Sequence, residues 1–240
     1  MVDIHTHILP FIDDGSDGFE DSLKMLRRSE LDGVDILAAT PHFNMVYNWL
    51  NYAEPELFEL FDELKGQAER AHISTSLVLG MEIRAFDGMI ELLEKGKLLT
   101  LNKTQYVLTE FDEHEPERWA TGILKKEMAA GFIPVVAHPE RYDFVWEQPW
   151  LVCDWLDMGC AIQITRGSLT GRYGPEALEA AEYFMEQGWV TCLASDAHKP
   201  NWRTTEMRSG YDYVSERWSK RTADELMTLN PARILKGERL

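Results

Sequence analysis

The stretch V-D-I-H-T-H at residues 2–7 is an apolar, β-branched run that ends in two histidines, and similar runs recur along the chain. These runs alternate with longer amphipathic stretches, which is typical of parallel strands joined by helical crossovers. Hydrophobic periodicity predicts seven strands, at 2–5, 34–40, 75–82, 106–110, 133–137, 161–165 and 190–195. It predicts helices at 21–31, 55–71, 89–94, 117–130, 150–158, 175–187 and 204–218. The sequence therefore predicts an α/β fold.

The 240 residues, of which 45% are hydrophobic, are enough for one sizeable core, and no linker or shift in composition interrupts them. We therefore expect a single domain over residues 1–240. Gly33, Gly131, Gly159 and Gly188 each follow a predicted helix and precede a strand, where a left-handed cap residue is needed. The stretch 223–240 is expected to form a short closing helix.

The net charge of −17 and the pI near 4.8 argue against a basic surface for nucleic acid or anionic membranes. No basic, apolar leader opens the sequence, and no apolar run approaches the roughly 18 residues of a membrane span. We expect a soluble, cytoplasmic protein without membrane insertion. Whether it forms a homo-oligomer stays open. Cys153, Cys160 and Cys192 are predicted to be buried small hydrophobes because they lie in apolar surroundings and lack the close pairing of a disulfide framework or a thiolate zinc site.

Histidines and acidic residues fall near the carboxyl ends of different predicted strands. In a closed parallel barrel these ends converge on one face, so residues distant in sequence would meet there. His5 and His7 should point to the same side because strand side chains alternate with a period of two. Mixed imidazole and carboxylate groups suit manganese, iron or zinc, and so many anionic groups call for more than one ion. The candidates are His5, His7, Asp14, His42, Glu82, Glu110, His138, Asp196 and His198.

Each candidate also has a structural interpretation, since a lone histidine at a strand end is often only hydrogen-bonded. His72 and His114 lack such a placement and are predicted to lie on the surface. Asp13 and Asp14 precede Gly15, and Asp-Gly is a common turn pair, so Asp14 is the weakest ligand candidate.

Two arginines near the predicted cluster suit a phosphate group. Arg141 follows His138 by three residues, and Arg203 follows His198 by five. Guanidinium matches phosphate oxygens in bidentate hydrogen bonds, which favours phosphate binding by Arg141 over a surface ion pair with Glu140 or Asp143. Arg203 is the weaker candidate, and its alternative interpretation is a solvated arginine at a helix start. The spacing C-x5-R at 160–166 imitates a cysteine-dependent phosphatase loop. We reject that interpretation because the intervening A-I-Q-I-T has no glycine and is predicted to be a strand.

As a set, these residues resemble the PHP (polymerase and histidinol phosphatase) superfamily, over nearly the whole chain. More closely, they are similar to the manganese-dependent tyrosine phosphatases of bacterial capsule and exopolysaccharide loci. The segments that carry the resemblance are D-I-H-T-H-I-L-P-F-I-D-D-G at 3–15, A-T-P-H at 39–42, A-H-P-E-R-Y at 137–142, Q-I-T-R-G-S-L-T-G-R-Y-G at 163–174 and S-D-A-H at 195–198.

The resemblance implies a distorted (β/α)7 TIM-like barrel that holds up to three ions, with Mn²⁺ ahead of iron or zinc. It implies that the nine candidates are metal ligands and that Arg141 and Arg203 bind the phosphoryl group. It also implies a substrate, the phosphotyrosine tail of a cognate bacterial tyrosine kinase. We expect metal-activated hydroxide to attack phosphorus, with His42 or His198 assisting the leaving phenolate.

The sequence departs from the family at Phe11, where glycine is usual, and at Phe43, where a second histidine is frequent. A more apolar pocket mouth is expected from both. Three alternatives stay open: a phosphatase for a small phosphomonoester such as histidinol phosphate, a metal-dependent nuclease, and a non-catalytic regulator that binds the kinase. The acidic charge disfavours the nuclease, and the complete ligand set disfavours pure binding.

Overall fold

Seven parallel segments of the barrel wall, here called staves, form a barrel in the computed structural model, which describes residues 1–240. A stave is either one strand or two consecutive strands. Five staves are single strands, and two are interrupted strands that continue in the same direction. The single strands are β1 (Val2–Thr6), β7 (Tyr106–Glu110), β8 (Ile133–Ala137), β9 (Ala161–Thr165) and β10 (Cys192–Ala194). The interrupted staves are β2 (Ile36–Ala39) with β3 (His42–Asn44), and β5 (Ser76–Leu79) with β6 (Glu82–Arg84). The predicted distorted seven-stave α/β barrel is confirmed.

The distortion arises where the two interrupted staves break. β2 pairs with β5, and β3 pairs with β6, so the two breaks lie side by side. Pro41 lacks a backbone donor and interrupts one stave. Gly80 interrupts the other, and a Cβ there would lie 2.8 Å from a Leu101 methyl group. The predicted single strand at 75–82 is therefore wrong in its continuity, and the strand at 42–44 was not predicted.

The barrel closes between its first and last staves. The His7 N–H donates to the Ala197 carbonyl at 2.8 Å, and the Asp196 N–H donates to the His5 carbonyl at 2.9 Å. Between Asp3 and Thr6 the pairing of β1 with β2 shifts register, as at a β-bulge. Such a shift changes the face to which later side chains point. It explains why Ile4 lies in the interior core while His5 and His7 also face the barrel axis.

A small apolar core fills the lower interior of the barrel, and the end of the chain closes it from below. Interior positions of the strands supply most of it, including Ile4, Leu108 and Ala194, and Ile234 and Leu235 of the last helix join them. Two residues further along their strands, the interior positions become polar. Leu108 is followed by Glu110, for example. This small apolar core, here called the apolar plug, thus lies beneath a layer of polar side chains at the carboxyl ends of the strands.

Helices surround the barrel, and the last of them closes its lower end. They are α1 (Phe19–Leu31), α2 (Pro55–Arg70), α3 (Met89–Glu94), α4 (Glu117–Ala129), α5 (Asp143–Glu147), α6 (Leu151–Met158), α7 (Arg166–Leu169), α8 (Pro175–Gln187), α9 (Arg208–Arg217), α10 (Lys220–Asp224) and α11 (Asn230–Lys236). None of these helices combines the length and the apolar composition that a membrane span requires. All four glycines predicted to cap helices have positive φ, between 70° and 105°.

The helix predictions differ from the structure in four places. The helix predicted from 204 begins only at Arg208, and the short helices α5 and α7 were not predicted. The predicted closing helix is instead α10, a π-helical turn at Glu225–Leu229, and α11 in succession. Short elements of four or five residues carry too little periodicity to be recognised. The single domain stays a prediction.

Candidate metal centre

The carboxyl ends of the staves bring the nine predicted ligands into one cluster. Their donor atoms form four overlapping groups, each within 4.8 Å: His7, Asp14, His42 and His198; His5, His7 and Asp196; His5, Glu82 and His138; and His42, Glu82 and Glu110. Eight of the nine are largely buried, whereas the Asp14 side chain is 46% exposed. That these side chains bind metal stays a prediction, but their convergence is the arrangement that the prediction requires.

Glu82 lies at the centre of the cluster. Its Oε1 lies 3.2 Å from His5 Nε2 and 3.0 Å from His138 Nε2. Its Oε2 lies 3.1 Å from His7 Nε2 and 3.0 Å from His42 Nδ1. Two atoms that each bind one ion at about 2.0–2.2 Å are separated by distances similar to these four contacts. One carboxylate can thus serve more than one ion.

Asp196 connects the cluster to the two arginines. Its Oδ1 lies 3.5 Å from His5 Nε2 and 3.6 Å from His7 Nε2. Its Oδ2 accepts a hydrogen bond from the guanidinium group of Arg141 and forms an ion pair with that of Arg203 at 2.6 Å. One oxygen therefore faces the predicted metal ligands, while the other holds both predicted phosphate-binding groups beside them.

Asp14 lies at the outer edge of the cluster. Its Oδ1 is 3.4 Å from His198 Nε2 and 3.6 Å from His42 Nε2. Both histidines also line the cavity above the cluster, together with Asp14 itself. The geometry therefore favours the ligand interpretation of Asp14 over that of a simple turn residue.

Two outer partners orient the first pair of histidines, and the sequence did not reveal either role. His5 Nδ1 lies 2.8 Å from the amide oxygen of Gln163, and His7 Nδ1 lies 3.0 Å from Asp13 Oδ2. Because these oxygens only accept, each Nδ1 carries the proton and each Nε2 presents its lone pair to the cluster. Asp13 also accepts the Gly15 N–H at 2.9 Å, so it is a turn residue as well.

The cluster contains buried polar atoms that have no hydrogen-bond partner among the protein's own groups. His42 Nδ1 and Glu82 Oε2 are 3.0 Å apart, yet neither forms a hydrogen bond. The Nε2 atoms of His5 and His7 approach to 3.3 Å. Lone pairs so close repel each other unless a cation lies between them. With imidazole and carboxylate donors only, the set fits divalent ions such as manganese, iron or zinc.

The pKa values of the cluster reflect burial and charge together. Burial lowers the pKa of His138 to about 4, and the nearby Arg141 guanidinium acts in the same direction. Burial also lowers the pKa of His198 to about 4. Burial and the charge of Glu82 raise the pKa of Glu110 to about 7. Against the effect of burial, Glu82 and Asp196 raise the pKa of His5 to about 9, so that a proton takes the place of a cation at its Nε2 when no metal ion is bound.

A stacked aromatic ring supports Arg141. The guanidinium of Arg141 lies over the ring of Tyr173 and also donates to Thr165 Oγ1 at 3.2 Å. Thr165 is held in turn by Glu140, whose Oε1 accepts its N–H at 2.9 Å. A Cβ at Gly167 would lie 2.5 Å from Tyr173 Cε2, so only glycine leaves room for this ring. The segment 163–174 therefore orients Arg141.

Three of the predicted site residues have strained backbone conformations. His138, Asp196 and Arg203 have φ values of 37°, 50° and 49°, in the left-handed region that disfavours side chains with a Cβ. Such strain persists where the surrounding structure imposes it, and it is common at functional sites. Nothing in the sequence alone indicated it.

Several other sequence predictions can be compared with the structure. His72 and His114 are exposed as predicted, although His114 also lines the cavity and pairs with Asp143 at 2.6 Å. Burial raises the pKa of the Cys160 thiol to about 12, which argues against a thiolate nucleophile in the C-x5-R segment. Cys160 and Cys192 are buried as predicted, whereas Cys153 is only partly buried.

The expectation of an apolar pocket mouth from two phenylalanines is not met. The prediction that Phe43 lies at the pocket mouth is wrong, because Phe43 is fully buried and packs on Tyr52 and Phe86. Phe11 is exposed, with a left-handed φ of 74°, but it packs near Phe19 and does not line the cavity. The aromatic residues at the mouth are others, Tyr47 and Trp49.

A closed parallel barrel with histidines and carboxylates converging above its apolar plug defines the class of TIM-like barrel proteins whose functional groups lie at the carboxyl ends of the strands. Within that class the chain belongs to the CpsB/CapC capsular polysaccharide synthesis family, whose model matches residues 1–236. The resemblance seen in the motifs is thereby confirmed.

Similar proteins cover almost the whole chain. It is 34% identical to tyrosine-protein phosphatase YwqE of Bacillus subtilis over 99% of this chain and 92% of that protein. It is 31% identical to tyrosine-protein phosphatase CpsB of Streptococcus pneumoniae, over 98% of each. A crystal structure from work on YwqE and CpsB, described there as unique metal-dependent tyrosine phosphatases, superposes with a TM-score of 0.91. It shares 33% identity and covers 99% of this chain and 95% of its own.

Proposed function

We propose that this chain is a metal-dependent protein-tyrosine phosphatase. The single observation that carries the proposal is Asp196, which joins the nine-residue cluster to Arg141 and Arg203 at one cavity of about 580 Å³. A divalent metal centre beside two guanidinium groups suits the hydrolysis of a phosphoric ester. The similarity to YwqE and CpsB supports tyrosine phosphate as the ester.

The proposed cofactor is Mn²⁺, with up to three ions held by the nine predicted ligands, and iron and zinc are the alternatives. When bound, such ions supply Lewis-acid activation of water and of the phosphoryl group. The protein's own task is then to hold the donors in place, which the outer contacts of His5 and His7 accomplish.

The two arginines are proposed to bind the phosphoryl oxygens. Both guanidinium groups are mostly buried, and the Nε atoms of Arg141 and Arg203 have no hydrogen-bond partner, so donors remain for an anion. His42 and His198, which line the same cavity, are the proposed source of help for the departing phenolate. This arrangement would suit an aryl phosphate, because the arginines would supply positive charge to the phosphoryl oxygens and the histidines would assist the leaving phenolate oxygen.

The proposed substrate is the tyrosine-phosphorylated tail of a cognate bacterial kinase that controls capsule or exopolysaccharide synthesis. Family membership supports the link to capsular polysaccharide, and the similarity to tyrosine phosphatases supports the modified residue. A cytoplasmic location belongs to this proposal, because the kinase tail would be there. Assembly into a homo-oligomer stays a prediction.

The test compares three substrates with added Mn²⁺ and with chelator: a phosphotyrosine peptide, histidinol phosphate and a single-stranded oligonucleotide. Metal-dependent turnover of the peptide that is lost in His138→Ala supports the proposal. Turnover of histidinol phosphate or of the oligonucleotide alone would move the chain to another metal-dependent activity. A fully metal-loaded chain that turns over none of the three would favour a non-catalytic binding protein.

A further inference from the structure

A short hairpin beside the cluster carries an aromatic surface that the proposed mechanism does not use. β3 pairs antiparallel with β4 (Trp49–Leu50), and the turn between them carries Tyr47. Tyr47 and Trp49 line the same cavity as the predicted metal ligands. Their rings pack together with centroids 4.9 Å apart, and Trp49 stacks on the imidazole of His42 at 5.1 Å with planes 16° apart.

The hairpin is held firmly in this position. Asn44 Oδ1 accepts the backbone N–H groups of Val46 and Tyr47 at 3.0 and 3.3 Å, which fixes the turn. Asn51 donates to the His42 carbonyl at 2.8 Å and to the Ile12 carbonyl at 3.0 Å. The aromatic pair is therefore built onto the cluster, although Tyr47 remains 61% exposed.

The two sides of the cavity differ in chemistry. The predicted phosphate-binding arginines approach the cluster at Asp196, whereas the aromatic pair approaches it at His42. A phosphoryl group held between the ions and the arginines would carry its ester group into the remaining space. An exposed aromatic face there matches a flat, apolar phenyl ring better than it matches an alkyl chain, because ring pairs gain from offset and edge contacts.

Resting on the proposed function, we propose that Tyr47, supported by Trp49, forms the subsite for the phenyl ring of phosphotyrosine. Tyr47 is then a specificity-determining residue that binds the ring and not the phosphate. Trp49 positions Tyr47 and packs on His42, so its replacement would disturb the metal ligand too. Tyr47 is the residue at which ring recognition is separable from the metal centre.

The experiment measures equilibrium binding by titration calorimetry to Mn²⁺-loaded protein. One probe is a peptide in which a non-hydrolysable phosphonate analogue replaces phosphotyrosine, and the other is inorganic phosphate, which has no ring. Tyr47→Ala should weaken peptide binding by about five- to tenfold and leave phosphate binding unchanged, as expected for the loss of one aromatic contact. Tyr47→Phe should bind both probes as the wild type does. Val46→Ala, on the same turn and 71% exposed, is the control.

Turnover of phosphotyrosine by the wild type is measured alongside, to separate the two proposals. If the wild type turns over phosphotyrosine but Tyr47→Ala binds the peptide as tightly, the subsite is wrong and the proposed function stands. A parallel loss of phosphate binding would also overturn the subsite, since Tyr47 would then shape the whole centre. A wild type without phosphotyrosine turnover overturns the proposed function and the subsite with it.

Discussion

The guanidinium carbon of Arg141 lies over the Tyr173 ring, 3.7 Å from its centre. Arg203 lies 5.8 Å from the same ring. The ring face attracts both cations, and Asp196 bonds to both, so two like charges are held side by side. This arrangement keeps two guanidinium groups oriented beside the cluster, where the proposed phosphoryl group would bind.

Replacing Tyr173 with leucine should therefore release Arg141 from its orientation. We expect kcat/KM for a phosphotyrosine peptide to fall by about tenfold, while the metal content of the protein stays unchanged. Tyr173→Phe keeps the ring and should retain most of the activity. Equal losses in the leucine and phenylalanine variants would show that the hydroxyl group, and not the ring, is what matters.

Gly167 should not tolerate even a methyl group. In Gly167→Ala the new Cβ would meet Tyr173 Cε2 at 2.5 Å, so the ring must move and Arg141 with it. We expect a loss of stability of about 1–3 kcal/mol and a drop in kcat/KM, measured by urea unfolding and by peptide turnover. The matched control is Gly122→Ala in α4, where a Cβ would meet nothing within 4 Å. This substitution should stabilise the helix, because alanine has a higher helix propensity than glycine. A Gly167→Ala variant as stable and active as the wild type contradicts this account.

Asp13 should support metal binding without being a ligand. Asp13→Asn weakens the acceptor that orients His7 Nδ1, and outer partners of this kind typically change metal affinity by about 10- to 100-fold. Competition with a chelator of known affinity measures the effect. Asp17→Asn, which removes only a surface ion pair with Lys199, should leave affinity unchanged. If the metal affinity of Asp13→Asn equals that of the wild type, Asp13 does not support metal binding and acts only as a turn residue.

Glu127 should make stability depend on pH. Burial raises the pKa of this carboxyl group, which Thr109 contacts, from 4.5 to about 8. The folded protein thus retains a proton that the unfolded chain releases, so stability should fall as pH rises from about 4.5 to about 8 and then level off. Glu127→Gln removes this loss, and its advantage over the wild type should grow to about 2–4 kcal/mol at pH 8.

Urea unfolding of both proteins between pH 5 and pH 8.5 tests this prediction. Glu59→Gln, on an exposed position of α2, is the control and should track the wild type at every pH. If Glu127→Gln and the wild type also run parallel across this range, Glu127 does not titrate as described.

The sequence was most informative where chemistry and periodicity coincide. Each of the seven predicted strands corresponds to a stave because each run is apolar and bounded by helical stretches. The convergence of residues as distant as His5 and Asp196 followed from a single topological rule, that parallel strands end on one face. The ligand candidates could thus be collected without any coordinates.

Other features depend on tertiary contacts that no local pattern encodes. Gln163 lies within the predicted strand at 161–165, and its role appears only because β9 places it against His5. Phe43 was expected at the pocket mouth, but the pairing of β3 in the barrel turns it into the core. The left-handed φ of His138 reflects the surrounding structure and not its own preference.

The most direct test of the account is the metal content and phosphotyrosine turnover of the wild type and of Glu82→Gln, measured on the same preparations. Glu82 lies within 3.2 Å of a nitrogen atom from each of four histidines, so its charge should be needed to hold the ions together. We predict more than one ion per wild-type chain. Glu82→Gln should lose bound metal, and turnover should fall by at least about a hundredfold. A chelated, metal-free wild type that still hydrolyses phosphotyrosine at its full rate would contradict the central claim.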